Sequence, residues 1–165
     1  MESLTKKVIL AIGIFILIIV GLIVYSQWQK SQDNKAKNLV LSTANSFAKE
    51  LFTFSYSNTA SYEQRVDPYL SKDYKEGFLD NFGLPIQKNI SAEEKNNYSK
   101  AASVKSEIIT WSKNSATVNS TVKINSQDNL INNGQVLIST KKITITLVYQ
   151  DKNWKVRKVV FSTAD

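Results

Sequence analysis

The sequence predicts an α+β protein, with a membrane-spanning helix first, about three further helices next and a curved four-stranded antiparallel sheet last. Three observations predict it. Residues 8–25 include no charge and no proline, apolar residues recur at helical spacing between 38 and 82, and apolar and polar residues alternate from about 104 to 161. Because every helical segment precedes every strand, the helices should pack together on one face of the sheet.

The apolar run at 8–25 has the length of a membrane span. Its 18 residues would extend about 27 Å as a helix, close to the ~30 Å hydrocarbon core of a bilayer. Lys6 and Lys7 precede the run, and Tyr25 and Trp28 close it. Lysines favour the cytoplasmic side and aromatic rings favour the opposite interface. Residues 1–7 are therefore predicted to be a cytoplasmic tip, and the C-terminal domain to be extracellular.

A cleaved signal peptide is the alternative interpretation of this run. The apolar core of a signal peptide is usually about 7 to 15 residues long and ends in a small-x-small cleavage site. Here the run is longer, and the best site, Val24–Ser26, has a tyrosine at its centre. We therefore expect an uncleaved single-pass anchor. Residues 26–37 would follow as a linker or a helical extension, and residues 38–165 as one α+β domain.

The composition excludes several kinds of chemistry. The 165 residues include no cysteine and no histidine, which rules out Ser-His-Asp and Cys-His catalysis and removes the commonest metal ligands. We expect no cofactor and no metal site. Residues after Tyr25 carry 19 basic and 13 acidic side chains, a net charge of +6 that would attract polyanions. Abundant Lys, Asn, Ile and Ser also suit an AT-rich Gram-positive genome, which would explain the lysines without a polyanionic partner.

The first helix of the domain is predicted from its buried face. Asp33 or Asn34 can cap it, and it should run to about Phe54. The apolar residues that share one helical face are Val40, Ala44, Phe47, Ala48 and Leu51.

Two further helices are predicted from caps and breaks. The capping box Ser61–Gln64 opens the second, and Pro68 kinks or breaks it. Ser71 can cap the third, which should run through Phe82. The polar segment 84–100 is expected to be a loop with at most a short helix.

Three of the four strands are predicted at 104–111, 116–124 and 154–161. The second alternates most clearly, with Ala116, Val118, Ser120, Val122 and Ile124 inward. In the last, Trp154 and Val156 should point inward.

The remaining strand, 136–149, changes its alternation. Ile143, Ile145, Leu147 and Tyr149 share one parity and should point inward, whereas Val136 and Ile138 have the other. Such a switch within one strand predicts a β-bulge near 139–142.

Several of these segments resemble the nuclear-transport-factor-two-like (cystatin-like) cone superfamily. They are the helix ending at Pro68–Ser71, the alternating strand 117–124 and the closing pair 143–149 and 151–156. With an N-terminal anchor, the chain resembles the bitopic scaffold subunit of type IV secretion systems, in particular its Gram-positive conjugative relatives. The resemblance implies a non-enzymatic scaffold that self-associates and contacts other channel subunits outside the membrane.

The candidate site residues are mostly basic. The last two strands and their hairpin contain a set that we call the basic edge: Lys141, Lys142, Lys152, Lys155, Arg157 and Lys158. It could contact an acidic partner or bind polyanions weakly, or it could simply be solvated; sequence-specific nucleic-acid binding is not expected. For a cone enzyme, the one acid on a predicted strand is Glu107.

Two function classes remain open from the sequence. The first is a secretion-channel scaffold, and the second is a ligand- or wall-binding module with a pocket inside the cone. The aromatic residues that would line such a pocket, and which we expect instead to fill the core, are Phe47, Phe54, Tyr69, Tyr74, Phe78, Trp111, Tyr149 and Trp154.

Overall fold

The structure is a computed structural model that describes residues 2–55, 59–78, 97–128 and 133–162. The chain divides into two compact units, Met1–Asn38 and Leu39–Asp165. Residues 79–96 lie outside the described residues, and with them the predicted helix end at Phe82 and most of the predicted loop at 84–100.

The first helix, α1, spans Glu2–Leu51 and includes residues 26–37. In the part of the chain that the structure describes, no helix is both long enough and apolar enough to cross a membrane. The side chains of residues 8–14, which begin the predicted span, lie outside the described residues. The membrane anchor therefore stays a prediction.

The buried face of α1 is the one that its spacing predicts. The five residues of that face are at most 5% exposed: Val40, Ala44, Phe47, Ala48 and Leu51. Their burial under the sheet stabilises this end of the helix, since helices in proteins gain most of their stability from packing of an apolar face.

The end of α1 differs from the prediction, because the chain leaves the helix before Phe54 and joins the sheet. Ser99 Oγ donates a hydrogen bond to the Phe52 carbonyl at 2.8 Å. The Ala101 N–H donates to Thr53 Oγ1 at 3.2 Å. These bonds replace the next helical turn.

The sheet is an antiparallel meander in the order β1-β2-β3-β4-β5. Its strands are β1 (Phe54–Ser55), β2 (Tyr98–Trp111), β3 (Ser115–Gln127), β4 (Val136–Gln150) and β5 (Asn153–Phe161). The prediction of four strands is therefore wrong. The strand that was not predicted is β1, which has two residues. It pairs with the start of β2, and β2 therefore begins before its predicted start at 104. A two-residue strand has too little alternation to be recognised in a sequence.

The inner face of the sheet, which packs on the helices, carries the residues that alternation predicts. In β3 these are at most 4% exposed: Ala116, Val118, Ser120, Val122 and Ile124. In β4, Ile143, Ile145 and Leu147 are buried, but Tyr149 is 48% exposed, contrary to the prediction. Tyr149 lies beside the hairpin at the end of β4, where its ring stacks against Trp154 at 5.5 Å instead of entering the core.

The β-bulge predicted at 139–142 is wrong. The register of β3 and β4 is continuous through these residues. Val136 and Ile138 have the other parity because this end of β4 is exposed on both faces, so no burial selects a parity there. The register shifts lie instead in β2, after Ala101 and Ile108, and in β5 at Arg157.

Within the described ranges, two short helices precede the long strands. Helix α2 is Thr59–Val66, a 3-10 turn follows at Asp67–Tyr69, and α3 is Lys72–Phe78. The break at Pro68 is confirmed. Ser61 lies inside α2, so it is not the N-cap that the capping box predicted.

Arg65 forms a hydrogen bond with the Ser61 side chain and connects α2 to the end of α1. Its guanidinium donates to Ser61 Oγ at 2.7 Å, to Glu50 Oε2 at 2.8 Å and to the Thr53 carbonyl at 2.7 Å. Nearby, burial raises the pKa of Tyr62 to about 12, with the Arg65 charge acting in the opposite direction.

Residues 70–74 cover the outer edge of β5. The Ser71 N–H donates to the Val156 carbonyl at 2.8 Å, and the Val159 N–H donates to the Tyr74 hydroxyl at 3.1 Å. The pKa of Tyr74 is raised by burial. An edge covered in this way offers few free groups to another chain.

Candidate functional site

Strand geometry separates the basic edge into different surfaces. Lys141 has the parity of Ile143 and projects from the inner face, beyond the helices, whereas Lys142 projects from the outer face. Lys152 lies in the β4–β5 hairpin. Eight residues of β4 separate Lys142 from that hairpin, about 27 Å at ~3.4 Å per residue. The six residues therefore do not form one cluster.

Two members of the basic edge bond within the domain. Lys155 Nζ donates to the Pro68 carbonyl at 2.5 Å. Arg157 Nε lies 3.3 Å from Asp73 Oδ2. The first contact joins β5 to the 3-10 turn at Asp67–Tyr69, and the second joins β5 to α3. Lys158, on the outer face, is exposed.

A cavity of about 380 Å³ opens on the inner face, in the part of the sheet beyond α1. Its apolar lining includes Phe52, Phe54 and Leu137, and its charged lining residues are Lys141 and Asp128. The volume is in the range of small-molecule sites. A mainly apolar wall with one lysine and one aspartate would suit an amphipathic ligand.

The aromatic residues mostly fill the core. Phe47 packs 6.2 Å from Tyr69 and 6.1 Å from Phe78, measured between ring centroids. Of the eight aromatic residues named above, Phe54 alone lines the cavity.

Glu107 is exposed on the outer face, opposite Asn119. It lines a cleft of about 270 Å³ with Thr144 and Lys142, and there Thr144 Oγ1 donates to Asn119 Oδ1 at 2.9 Å. Among the described residues, no group of three or more carboxylates could hold a metal ion.

The residues flanking the predicted span are described in part. Tyr25 and Trp28 are each 58% exposed, and their rings lie 6.2 Å apart on one side of α1. The side chains of Lys6 and Lys7 lie outside the described residues.

Sequence reasoning missed the exposed beginning of β4. Val136 is 52% exposed, Leu137 50% and Ile138 76%. The parity change in this strand was the available signal, and it indicated an uncovered strand end rather than a bulge.

Comparison with known proteins places this arrangement in a recognised fold. No protein-family model matches the chain, and no curated protein matches its sequence. CagV, a VirB8 homologue of the type IV secretion system of Helicobacter pylori strain 26695, superposes with a TM-score of 0.59 at 16% identity, over 78% of this chain and 99% of that one. The fold is the nuclear-transport-factor-two-like cone.

Other neighbours show how widely this cone is used. An Ntf2-like protein involved in plasmid conjugation superposes with a TM-score of 0.55 at 14% identity, over 78% of this chain and 50% of that one. The present chain thus spans half the length of that protein. The association domain of C. elegans CaMKII superposes with a TM-score of 0.52 at 8% identity, over 80% of this chain and 97% of that one. At these low identities the superpositions establish the cone fold alone.

Proposed function

We propose that this chain is a membrane-anchored assembly subunit of a conjugative type IV secretion channel, and that it holds other channel subunits beside the membrane without catalysing a reaction. The observation that carries the proposal is the cone shared with CagV and with a plasmid-conjugation protein, joined in one chain to a long apolar helical segment. The CaMKII association domain has the same cone, so fold by itself does not select the function. The apolar segment favours a membrane-associated assembly.

The exposure of α1 supports the anchor. From Phe15 to Val24 the large apolar side chains are 41–72% exposed, on all sides of the helix. A helix that is apolar all round requires lipid or protein around it. Lys6 and Lys7 favour a cytoplasmic N-terminus, which would place the cone outside the cytoplasmic membrane.

The anchor is tested by inserting charge into the apolar segment. Leu17→Lys with Ile18→Lys should move the protein from the membrane fraction to the soluble fraction, since a lysine at a span centre costs about 2.5–3.5 kcal/mol. The matched control is Gln27→Lys with Gln29→Lys, which adds the same charge outside the run and should leave the protein in membranes. Wild-type protein in the soluble fraction would contradict the anchor.

The orientation needs a separate measurement. Protease added to cells whose cytoplasmic membrane is intact and accessible should digest the cone domain. Full protection of that domain in intact cells, with digestion after lysis, would contradict the proposed topology.

The scaffold role is tested by a transfer assay in a deletion strain complemented with variants. Glu107→Gln should support normal transfer, because Glu107 is exposed and the proposed scaffold role uses no catalytic acid. Lys152→Glu with Lys158→Glu should impair transfer while the fold survives, since both lysines are exposed and neither makes one of the internal bonds of Lys155 and Arg157. Pulldown of neighbouring channel subunits should weaken with the same double variant.

Two results would overturn this role. Normal transfer in the deletion strain would show that the channel does not require this protein. Loss of transfer from Glu107→Gln in a folded protein, with the double variant active, would favour a cone enzyme.

The cavity favours a second candidate, a membrane-tethered module that binds a ligand or the cell wall. Ser126→Phe would fill the cavity, and Asn125→Phe, one residue earlier on the opposite face of β3, is its matched control. A scaffold should tolerate both. Loss of function from Ser126→Phe alone, in a folded protein, would support the ligand-binding module.

A further inference from the structure

Among the described residues, the first part of β4 is an open sheet edge. Strand β5 pairs with β4 only between Ile143 and Gln150, so 136–141 extends beyond the end of β5. No described strand pairs with this part of β4 on the side away from β3. The edge of β5, by contrast, is covered by residues 70–74.

The direction of the free backbone groups follows from two hydrogen bonds. The Ser162 N–H donates to the Lys142 carbonyl at 3.0 Å, on the β5 side, and the Tyr149 N–H donates to the Asn114 carbonyl at 2.9 Å, on the β3 side. Bonding direction alternates along an antiparallel strand. Thr140, Ile138 and Val136 therefore direct their N–H and C=O groups away from β3, toward the open edge.

The side chains along this edge divide into two chemical types. Val136, Leu137 and Ile138 are adjacent aliphatic residues that are 50–76% exposed. Lys141 and Lys142 follow, both exposed, and neither forms an ion pair with a described acid. Lysines often protect an edge strand against pairing with another chain, but three exposed aliphatic residues beside them favour such pairing.

We propose that this edge, residues 136–141 together with the adjoining Lys142 side chain, binds an extended segment of another protein by β-strand addition. The segment would be aliphatic opposite 136–138 and acidic where it reaches Lys141 and the Lys142 side chain. Charge selects this occupant over a second copy of the chain. The edge itself, VLISTKK, contains no acidic residue, so pairing with its own copy would leave the lysines without counter-charges. Two copies, each with a net charge of +6 after Tyr25, would also repel each other.

The cavity gives the segment a further means of recognition. Leu137, Ser139 and Lys141 project from the inner face and line the cavity. Alternate side chains of a strand added to β4 would project from the same face beside it. Main-chain bonds would then give affinity and the cavity would select side chains. The inference depends on the geometry of β4 and goes beyond the secretion role, which does not specify this surface.

The test uses the full chain in detergent micelles and a labelled peptide, Asp-Glu-Thr-Ser-Val-Ile-Val, in fluorescence polarisation. Aligned antiparallel to β4, this peptide places its Glu opposite Lys141 and its aliphatic residues opposite 138–136. Its terminal Asp lies beyond the paired segment, because Ser162 occupies the position opposite Lys142, and it would reach the Lys142 side chain. Two control peptides should each bind at least about tenfold more weakly. The first has two lysines in place of the acids, and the second is N-methylated at alternate amides.

Protein variants separate charge from backbone pairing. Lys141→Glu with Lys142→Glu should weaken binding about tenfold or more. Lys113→Glu with Lys152→Glu makes an equal charge change in the hairpins at the opposite end of β4, and it should leave binding within about twofold. Ile138→Pro removes an N–H on the open side and keeps the bonds to β3, so it should also weaken binding. If the proline variant does not fold, the N-methylated peptide still tests backbone pairing. Ile138→Ser tests the aliphatic contact and should also weaken binding.

Three outcomes would overturn the proposal. The wild-type chain would fail to bind the peptide, or it would bind the lysine peptide equally well. Alternatively, ultracentrifugation would detect a dimer that Ile138→Ser dissociates, which would assign the edge to a second copy. None of these outcomes bears on the transfer assay, so the two proposals fail separately.

Discussion

Trp154→Ala should lower the free energy of unfolding by about 3–5 kcal/mol. Trp154 lies on β5 with 6% of its surface exposed, and its ring centroid is 5.5 Å from those of Trp111 and Tyr149. Burial of ~200 Å² of indole at about 25 cal/mol/Å² is worth at most about 5 kcal/mol. The two aromatic contacts add to this, and the retained alanine methyl subtracts from it, which gives the stated range.

The assay is urea unfolding followed by far-ultraviolet circular dichroism, because tryptophan fluorescence would change with the substitution itself. Tyr149→Ala is the matched control: it removes a ring from the same cluster, but one that is 48% exposed, and it should cost about 1 kcal/mol. A loss below about 1 kcal/mol for Trp154→Ala, or equal losses for both variants, would refute the reasoning and make Trp154 a candidate partner contact.

Two further predictions concern the junction of α1 and α2. Arg65→Ala should destabilise by about 1.5–3 kcal/mol, since it leaves Glu50 and the Thr53 carbonyl without their donor. Lys72→Ala, which removes the exposed ion pair with Asp151, should cost under about 1 kcal/mol, and equal losses in urea melts would contradict this. Tyr62 has a pKa of about 12 when folded against about 10 when unfolded, so its neutral form stabilises the fold below pH ~10, and up to about 3 kcal/mol is lost as pH rises toward 12. Tyr62→Phe should remove that part of the pH dependence, and melts showing the same decline in both proteins would contradict the assignment.

The faces of the secondary structure were predictable because burial acts periodically. The helical spacing of Val40, Phe47 and Leu51 and the alternation of Val118 and Val122 report which side chains leave water, and all five are buried. The same rule failed at Tyr149, because alternation gives parity and does not say where the covering helices end.

The sequence could name the residues of the candidate surfaces, but not which of them lie on the same surface. Lys141 and Lys142 are neighbours in sequence, and because successive strand residues point to opposite faces, one lines the inner-face cavity and the other lies on the outer face. Lys155 and Arg157 bond to Pro68 and Asp73, which are more than eighty residues away. No local pattern contains such contacts.

By itself, the sequence determined the α+β class, the apolar segment, the faces of α1 and β3 and the absence of histidine and cysteine chemistry. These properties depend on composition or on spacing over a few residues. Tertiary structure decided the strand count, the bulges, the separation of the basic edge and the open edge at 136–141. Each of these depends on which distant segment lies beside a strand: β4 continues beyond the end of β5, and residues 70–74 cover β5 but not β4. Pairing and coverage are relations between distant parts of the chain, so they become visible only when the chain is folded.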